Sequence, residues 1–99
     1  MAKYMVLWEV DINRLSIDPK ERIGWYNQAH DMVEDDLKNG TVDWGEFPGS
    51  HKGYSIWEGV NEEELELRML RYIPYVKMEV HPVLSISQMK KAVKDLAQK

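Results

Sequence analysis

The order in which strand-like and helix-like segments alternate constrains this chain more than any other feature of its sequence. Runs of apolar, β-branched and aromatic residues mark the strands, and polar caps mark the helix starts. In chain order we predict a strand at 3–10, a helix from Pro19, strands at 41–47 and 54–58, a helix from 62 to about 74, a strand at 78–84 and a short helix capped by Ser87. The pattern is βαββαβ plus a C-terminal helix, which is the ferredoxin-like α+β fold with an antiparallel sheet.

The first helix has the most explicit signals. Asp18 supplies an acceptor at the N-cap, Pro19 suits the first helical position, and Glu21 is placed to reach back to the cap. Gly40 supplies the stop. Apolar spacing of three and four predicts a buried stripe made of Ile23, Tyr26, His30, Val33 and Leu37.

Length and composition exclude several classes of function. The 99 residues fit one domain, 1–99, and 13 Lys+Arg against 17 Asp+Glu give a net charge of −4. This acidic balance argues against a nucleic-acid partner. The apolar run at 4–8 is too short for a membrane span or a signal peptide, so we expect a cytoplasmic protein without a membrane partner. The chain has no cysteine, which excludes disulfides and thiolate chemistry.

The first strand is apolar on both faces, because Tyr4, Val6 and Trp8 alternate with Met5 and Leu7. In a ferredoxin-like fold both helices cover one sheet face, and a monomer that exposed Trp8 with half of the apolar strand positions would present a large hydrophobic patch. We therefore predict a homodimer, or a multiple of dimers, in which two sheets pack face to face as a dimeric α+β barrel. The last helix is expected to turn Met89, Val93 and Leu96 inward or against the neighbouring subunit.

Between 44 and 84 the chain resembles the muconolactone-isomerase-like branch of the dimeric α+β barrel superfamily. The resemblance is carried by Trp44, Gly49, the run Gly-Tyr-Ser-Ile-Trp-Glu at 53–58, the acidic helix start at 61–64, Tyr-Ile-Pro at 72–74 and Val-His-Pro-Val at 80–83. It implies a dimeric barrel with a cavity between sheet and helices, which some members use for small hydrophobic or aromatic-derived molecules. Residues 44–49 carry no arginine to hold a lactone carboxylate, so muconolactone chemistry is not expected, and the resemblance is closest to an uncharacterised small-protein family.

His81 and Glu79 are the candidate acid/base pair. They stand two residues apart on the last strand and therefore share a sheet face. A histidine beside a carboxylate can transfer protons near neutral pH. The competing interpretation is a polar pair at a strand edge or a dimer interface.

The candidate ligand-binding residues are mostly aromatic. Aromatic side chains line small-molecule cavities but also fill ordinary cores, so both interpretations stand. Tyr54 and Trp57 point to opposite faces of one strand, so at most one of them lines a given cavity. Histidine pairs with metal-ligand spacing are lacking, and we expect no metal or cofactor. The candidates are Trp8, His30, Trp44, Tyr54 and Trp57.

The leading hypothesis is a dimeric α+β barrel protein that binds a small hydrophobic or aromatic molecule between sheet and helices. One alternative is a cofactor-free isomerase or monooxygenase acting by proton transfer through His81 and Glu79, with His30 or Tyr54 orienting the ligand. The other is a non-catalytic structural or regulatory oligomer. A cavity into which His81 or His30 opens would favour the enzyme.

Overall fold

Four antiparallel strands form a single sheet in the order β2-β3-β1-β4. The computed structural model describes residues 2–98. The elements are β1 (Lys3–Val10), α1 (Pro19–Leu37), β2 (Thr41–Glu46), β3 (Lys52–Glu58), α2 (Glu62–Leu70), β4 (Val76–Pro82) and α3 (Ile86–Ala97). This order and topology confirm the predicted ferredoxin-like α+β fold with a C-terminal helix.

The register of the two central strands decides which residues meet the helices. Val6 of β1 lies opposite Ser55 of β3 and Val80 of β4, so these three side chains project from the same face. Tyr4, Val6 and Trp8 are buried on that face beneath α1 and α2. The expectation that a monomer exposes Trp8 is therefore wrong, because Trp8 projects toward the helices rather than from the open face.

The core consists of two clusters that both contact Met78. Around α2, Leu65 and Met69 pack with the β1 and β3 residues Tyr4, Val6 and Trp57. The second cluster forms around Trp8, with partly buried residues from α1 and β2 against it. The apolar face of the sheet is thus shared between the two helices. The residues of this second cluster are Trp8, Tyr72 and Val76, with Val10, Trp25, Met32, Val33 and Trp44 packed against them.

The predicted start of α1 is confirmed, with one difference. Asp18 accepts a hydrogen bond from the Lys20 backbone N–H at 3.2 Å, and Pro19 is the first helical residue. Glu21 does not reach back to the cap, because its carboxylate accepts the Ser16 hydroxyl hydrogen at 2.5 Å. After the helix, Gly40 adopts a φ of 130°, a value that side chains with a Cβ rarely tolerate.

The predicted buried stripe of α1 is displaced. Ile23, Leu37 and His30 are exposed to solvent. One side of His30 nevertheless borders a cavity between the helices and the sheet. Ala29 and Asp36 are the buried residues of this helix. Asp36 takes an inward position because donors from the other half of the chain surround its carboxylate, a pairing that spacing alone does not predict.

The C-terminal part differs from the prediction at three points. Strand β4 begins at Val76 rather than at 78, α2 ends at Leu70, and α3 begins at Ile86. Ser85, not Ser87, is the cap of α3. The Ser85 hydroxyl accepts from the Gln88 backbone N–H at 3.1 Å, and the Gln88 side chain accepts from the Ser85 backbone N–H at 2.8 Å.

The apolar face of α3 contacts no other part of the fold closely enough to be buried. Met89, Val93 and Leu96 are 50%, 54% and 73% exposed, so their predicted inward packing is not found within one chain. The domain measures 61 × 24 × 20 Å, with a radius of gyration of 16.7 Å. A compact domain of this length has about 13 Å, which indicates that α3 projects from the body. Across 2–98, no helix has the length and apolarity needed to cross a bilayer.

Candidate functional site

A cavity of about 70 Å³ lies between the helix-covered face of the sheet and helices α1 and α2. All four tryptophans of the chain line it, each from a different element: β1, α1, β2 and β3. The predicted candidates Trp8, His30, Trp44 and Trp57 are therefore brought together. Its walls also include Val6, Val10, Trp25, Tyr26, Ala29, Val33, Asp36, Thr41, Glu46, Ser55, Met69, Tyr72, Val76 and Met78.

One wall of the cavity is a stacked indole pair. The rings of Trp8 and Trp44 lie 5.4 Å apart between centroids and 12° from parallel. Trp8 reaches this position because β3 has glycine at 53: a Cβ there would overlap the Trp8 ring and the carbonyl oxygen of Gly45. A glycine on β3 thus makes room for a wall of the cavity.

Two polar atoms in this lining lack partners. Trp57 donates its indole N–H to the Ser55 hydroxyl at 2.9 Å, so that donor is satisfied. Trp8 Nε1 and Thr41 Oγ1 are both buried, and neither has a hydrogen-bond partner among residues 2–98. Buried polar groups are nearly always paired, so an unpaired donor in a cavity wall indicates where a bound molecule or a water would interact.

A buried carboxylate forms another part of the lining. Asp36 Oδ2 accepts the Tyr72 hydroxyl hydrogen at 2.6 Å, and Oδ1 accepts from Arg68 at 3.3 Å and from Arg71. Burial raises the pKa of Asp36, and the hydrogen bond from Tyr72 and the charges of both arginines oppose that rise. Burial and Asp36 together raise the pKa of Tyr72.

Sequence analysis missed this cluster, because the apolar stripe that it predicts for α1 does not include Asp36. The available signal was the spacing of Arg68 and Arg71, which puts two guanidinium groups on one side of the second helical segment. Asp35, beside Asp36 but exposed, also accepts from Arg68, at 2.6 Å. Its pKa is lowered, mainly by that hydrogen bond. The cluster fastens α1 to α2 at one end of the cavity.

His30 and Glu46 border the cavity where it meets solvent. Both are exposed residues, and His30 stacks on Tyr26 with ring centroids 6.5 Å apart. Because both side chains are at once exposed and part of the lining, they mark the opening. His30 is thus the one predicted histidine that the structure places at the cavity.

The predicted acid/base pair forms, but away from the cavity. His81 Nε2 lies 3.0 Å from a Glu79 carboxylate oxygen, and the two side chains are 53% and 66% exposed. They stand opposite Met5 and Leu7 of β1 and so project from the open face of the sheet. Proton transfer by this pair to a molecule in the cavity is not possible in this arrangement.

Tyr54 also lies on the open face. Its ring covers Gly45, and its hydroxyl donates to an Asp43 carboxylate oxygen at 3.0 Å. This bond raises the pKa of Tyr54. Tyr54 is not among the residues that line this cavity, and the prediction that it and Trp57 point to opposite faces of β3 is confirmed.

The cavity is apolar with acidic borders. Within the described part of the chain, its lining includes two carboxylates, Asp36 and Glu46, and no lysine or arginine. The described residues contain no group of three or more His, Cys, Asp or Glu side chains arranged to hold a metal ion. Such walls can bind a small uncharged organic molecule through ring contacts and a few hydrogen bonds.

Comparison with known proteins identifies the family of this chain. No curated protein matches the chain. The model of a family described as a domain of unknown function, DUF3303, matches residues 2–97, which is nearly the whole chain. The protein therefore belongs to the DUF3303 family.

Proposed function

We propose that this protein binds a small aromatic or hydrophobic molecule in the cavity between its sheet and its helices, and that it does so as a homodimer of the dimeric α+β barrel type. The observation that carries the proposal is that all four tryptophans line this one cavity. Ordinary cores close over their aromatic rings at crystal-like packing density. Aromatic walls around an open space, with a few polar groups, are typical of sites for small organic molecules.

The size of the cavity limits the ligand. Pockets for drug-sized molecules have volumes of about 300–1,000 Å³, far above the 70 Å³ found here. A cavity of about 150 Å³ holds one benzene molecule, so the largest ligand we propose is a single aromatic ring with a short substituent, and its entry requires the cavity to widen at the opening beside His30 and Glu46. The resemblance of 44–84 to muconolactone-isomerase-like domains, some of which take molecules of this class, supports the same proposal.

Binding is favoured over proton-transfer catalysis by an isomerase or monooxygenase. The acid/base pair of His81 and Glu79 projects from the face opposite the cavity. The carboxylate that does line the cavity, Asp36, already accepts hydrogen bonds from Tyr72, Arg68 and Arg71. A carboxylate occupied in this way serves as a fixed anchor rather than as a base for a ligand.

The test is a titration with acetophenone followed by tryptophan fluorescence, using Ala29→Leu to fill the cavity. Ala29 is buried on α1 and lines the cavity. The matched control is Ala92→Leu, the same change on α3 away from the lining. We expect saturable binding to the unsubstituted protein and to Ala92→Leu, and strongly weakened binding to Ala29→Leu. Failure of acetophenone to bind the unsubstituted protein, or equal binding by all three, would overturn the proposal.

The dimer is supported by two surfaces that carry exposed apolar side chains. On the open face of the sheet, Leu7 is exposed and Met5, Tyr54 and Ile56 are half-buried. The second surface is the projecting helix α3, whose apolar residues lie along one side. Apolar surface of this extent on a small domain usually marks an interface. The exposed apolar residues of α3 are Ile86, Met89, Val93 and Leu96.

Charge favours α2 of a second copy as the surface that covers α3. Leu67 and Leu70 are exposed on α2, and helical spacing places Glu63 and Glu66 near them. On α3, lysines border the apolar side. The exposed apolar residues of α2 are thus bordered by acidic side chains, and those of α3 by basic side chains. The two surfaces are complementary in charge. The lysines of α3 are Lys90, Lys91 and Lys94.

Light scattering and engineered cysteines test this interface. Val93→Asp should convert the dimer to a monomer, whereas Ser87→Asp adds the same charge outside the apolar strip and should leave a dimer. Since the chain has no cysteine, chains with Val93→Cys mixed with chains with Leu67→Cys should form mixed disulfides between copies. A monomeric unsubstituted protein contradicts the dimer. A disulfide within one doubly substituted chain would mean that α3 folds onto its own α2.

A further inference from the structure

We infer that the ligand of the aromatic cavity is a neutral molecule that presents a hydrogen-bond acceptor, such as a carbonyl oxygen or a ring nitrogen, to the indole N–H of Trp8. This inference rests on the proposed function and adds the chemical class of the ligand. Two observations carry it: the buried Trp8 N–H has no partner in the described chain, and the described lining of the cavity contains two carboxylates, one histidine at the opening, and no lysine or arginine.

Trp8 selects for an acceptor because its indole nitrogen can only donate. The residue is more than nine-tenths buried, so solvent does not satisfy the N–H from outside the fold. Its ring is fixed by stacking on Trp44 and by its close approach to Gly53. Turning the indole toward another protein acceptor would require breaking both contacts, so a molecule bound against the ring supplies the partner. The proposal places it in the aromatic cavity rather than in the second pocket that Trp8 borders with Glu9, Phe47 and Lys52.

Thr41 adds a second unpaired polar group to the cavity lining, but it does not restrict the chemical class of the ligand. Its hydroxyl is buried and unpaired within 2–98, but a hydroxyl can donate or accept. Thr41 lies opposite Trp57, and Trp8 lies opposite Gly53, so the two polar points are four residues apart along β3. At about 3.3 Å per residue their strand positions stand about 13 Å apart, farther than a single-ring ligand reaches. Trp8 therefore sets the acceptor requirement, and the partner of Thr41 is a water rather than the same ligand.

The charges of the lining favour a neutral ligand over a carboxylate. Asp36 and Glu46 border the cavity, and the Arg68 and Arg71 guanidinium groups that face Asp36 are not part of its lining. An anion would lose its hydration and meet carboxylates without a cation to pair with. An aromatic ketone, aldehyde, lactone or neutral heterocycle avoids this cost and still offers an acceptor.

The test compares acetophenone with ethylbenzene, which has the same ring and two-carbon chain but no acceptor, on the unsubstituted protein and on Trp8→Phe. Each compound is compared between proteins, so differences in its hydration cancel. Trp8→Phe alters the cavity wall for both compounds, but it should weaken acetophenone binding about tenfold more than ethylbenzene binding, the effect of removing one buried hydrogen bond. The matched control is Trp25→Phe, which removes another indole from the same cavity and should not discriminate between the compounds.

A second measurement covers the case in which Trp8→Phe does not fold. In the unsubstituted protein, acetophenone should move the proton signal of the Trp8 indole N–H downfield, and ethylbenzene should not. Equal effects of both compounds on Trp8 would overturn the acceptor requirement. Benzoate binding as tightly as acetophenone would overturn the requirement for a neutral ligand, because benzoate also presents an acceptor. Both results leave the proposed function intact. If neither acetophenone nor ethylbenzene binds, the proposed function itself fails.

Discussion

The hydroxyl of Tyr72 donates a hydrogen bond of 2.6 Å to the buried carboxylate of Asp36, and this contact joins two residues that are 36 positions apart in the chain. Asp36 belongs to α1, and Tyr72 follows the end of α2. Both residues line the aromatic cavity. The hydrogen bond therefore holds together the two helical segments between which the cavity opens.

Removing this hydroxyl should destabilise the fold. Tyr72→Phe leaves one buried carboxylate oxygen of Asp36 without its donor, which costs about 1–3 kcal/mol of unfolding free energy. Urea unfolding measures the loss. Tyr75→Phe is the control, because Tyr75 is 40% exposed and exposed substitutions change stability by about 0.5 kcal/mol or less. Equal stability of the two variants would contradict the role given to Tyr72.

The two neighbouring aspartates should titrate on opposite sides of their usual pKa of 3.8. Burial raises the pKa of Asp36, so the folded state holds the carboxyl proton more tightly than the unfolded state does. The protonated Asp36 therefore stabilises the fold at low pH, and this stabilisation is lost as pH rises from 3.8 through the folded pKa. Arg68 lowers the pKa of Asp35, whose contribution is present above 3.8 and lost as pH falls through its folded pKa. Carbon NMR of the carboxyl groups checks both, with Asp36→Asn to assign the signals. Midpoints on the same side of 3.8 would refute this account.

Alanine at two different glycines should have opposite effects on stability. At Gly53 the added Cβ overlaps the Trp8 ring and a backbone oxygen, so Gly53→Ala should lose about 3 kcal/mol. At Gly24, within α1, the added Cβ meets no atom within 4 Å. Gly24→Ala should therefore gain about 0.5–1 kcal/mol from helix propensity. Thermal unfolding of both variants provides the measurement, and a tolerated alanine at Gly53 would show that Trp8 lies elsewhere.

Changing His81 should leave ligand binding intact. His81→Asn removes the contact with Glu79 on the open face but touches no residue of the cavity. Acetophenone should bind this variant as tightly as the unsubstituted protein in the fluorescence titration. Weakened binding to a folded His81→Asn protein would restore His81 as a candidate site residue and count against the cavity.

Local patterns predicted the fold well because caps and strand composition act within a few residues. Asp18 and Pro19 fix the start of α1, and Gly40 follows its end. Both ends of this helix could therefore be predicted from neighbouring residues alone, without knowledge of tertiary contacts. The prediction placed the cap of α3 at Ser87, but Ser85 has the same side chain, and its reciprocal bonds with Gln88 identify it as the cap.

The site was predictable in part. Trp8, Trp44 and Trp57 were recognisable as candidates, whereas Trp25 was not among them. Strand alternation correctly separated Trp57 from Tyr54. The burial of Asp36 could not be predicted from the sequence. It depends on Arg71 and Tyr72, whose side chains reach Asp36 because α2 packs against α1. Sequence spacing also cannot distinguish the helix-covered face from the open face, so it places His81 and Glu79 on one face of the sheet without indicating which face that is.

The most direct test of the central claim is a proton–nitrogen correlation spectrum of the indole groups during an acetophenone titration. The chain has four tryptophans, and all four line the cavity. If acetophenone binds in the cavity, the four indole signals of the unsubstituted protein should shift together and saturate with one common dissociation constant. In Ala29→Leu the same signals should not show this saturation. Signals that stay in place, or that drift without saturation in both proteins, would contradict it.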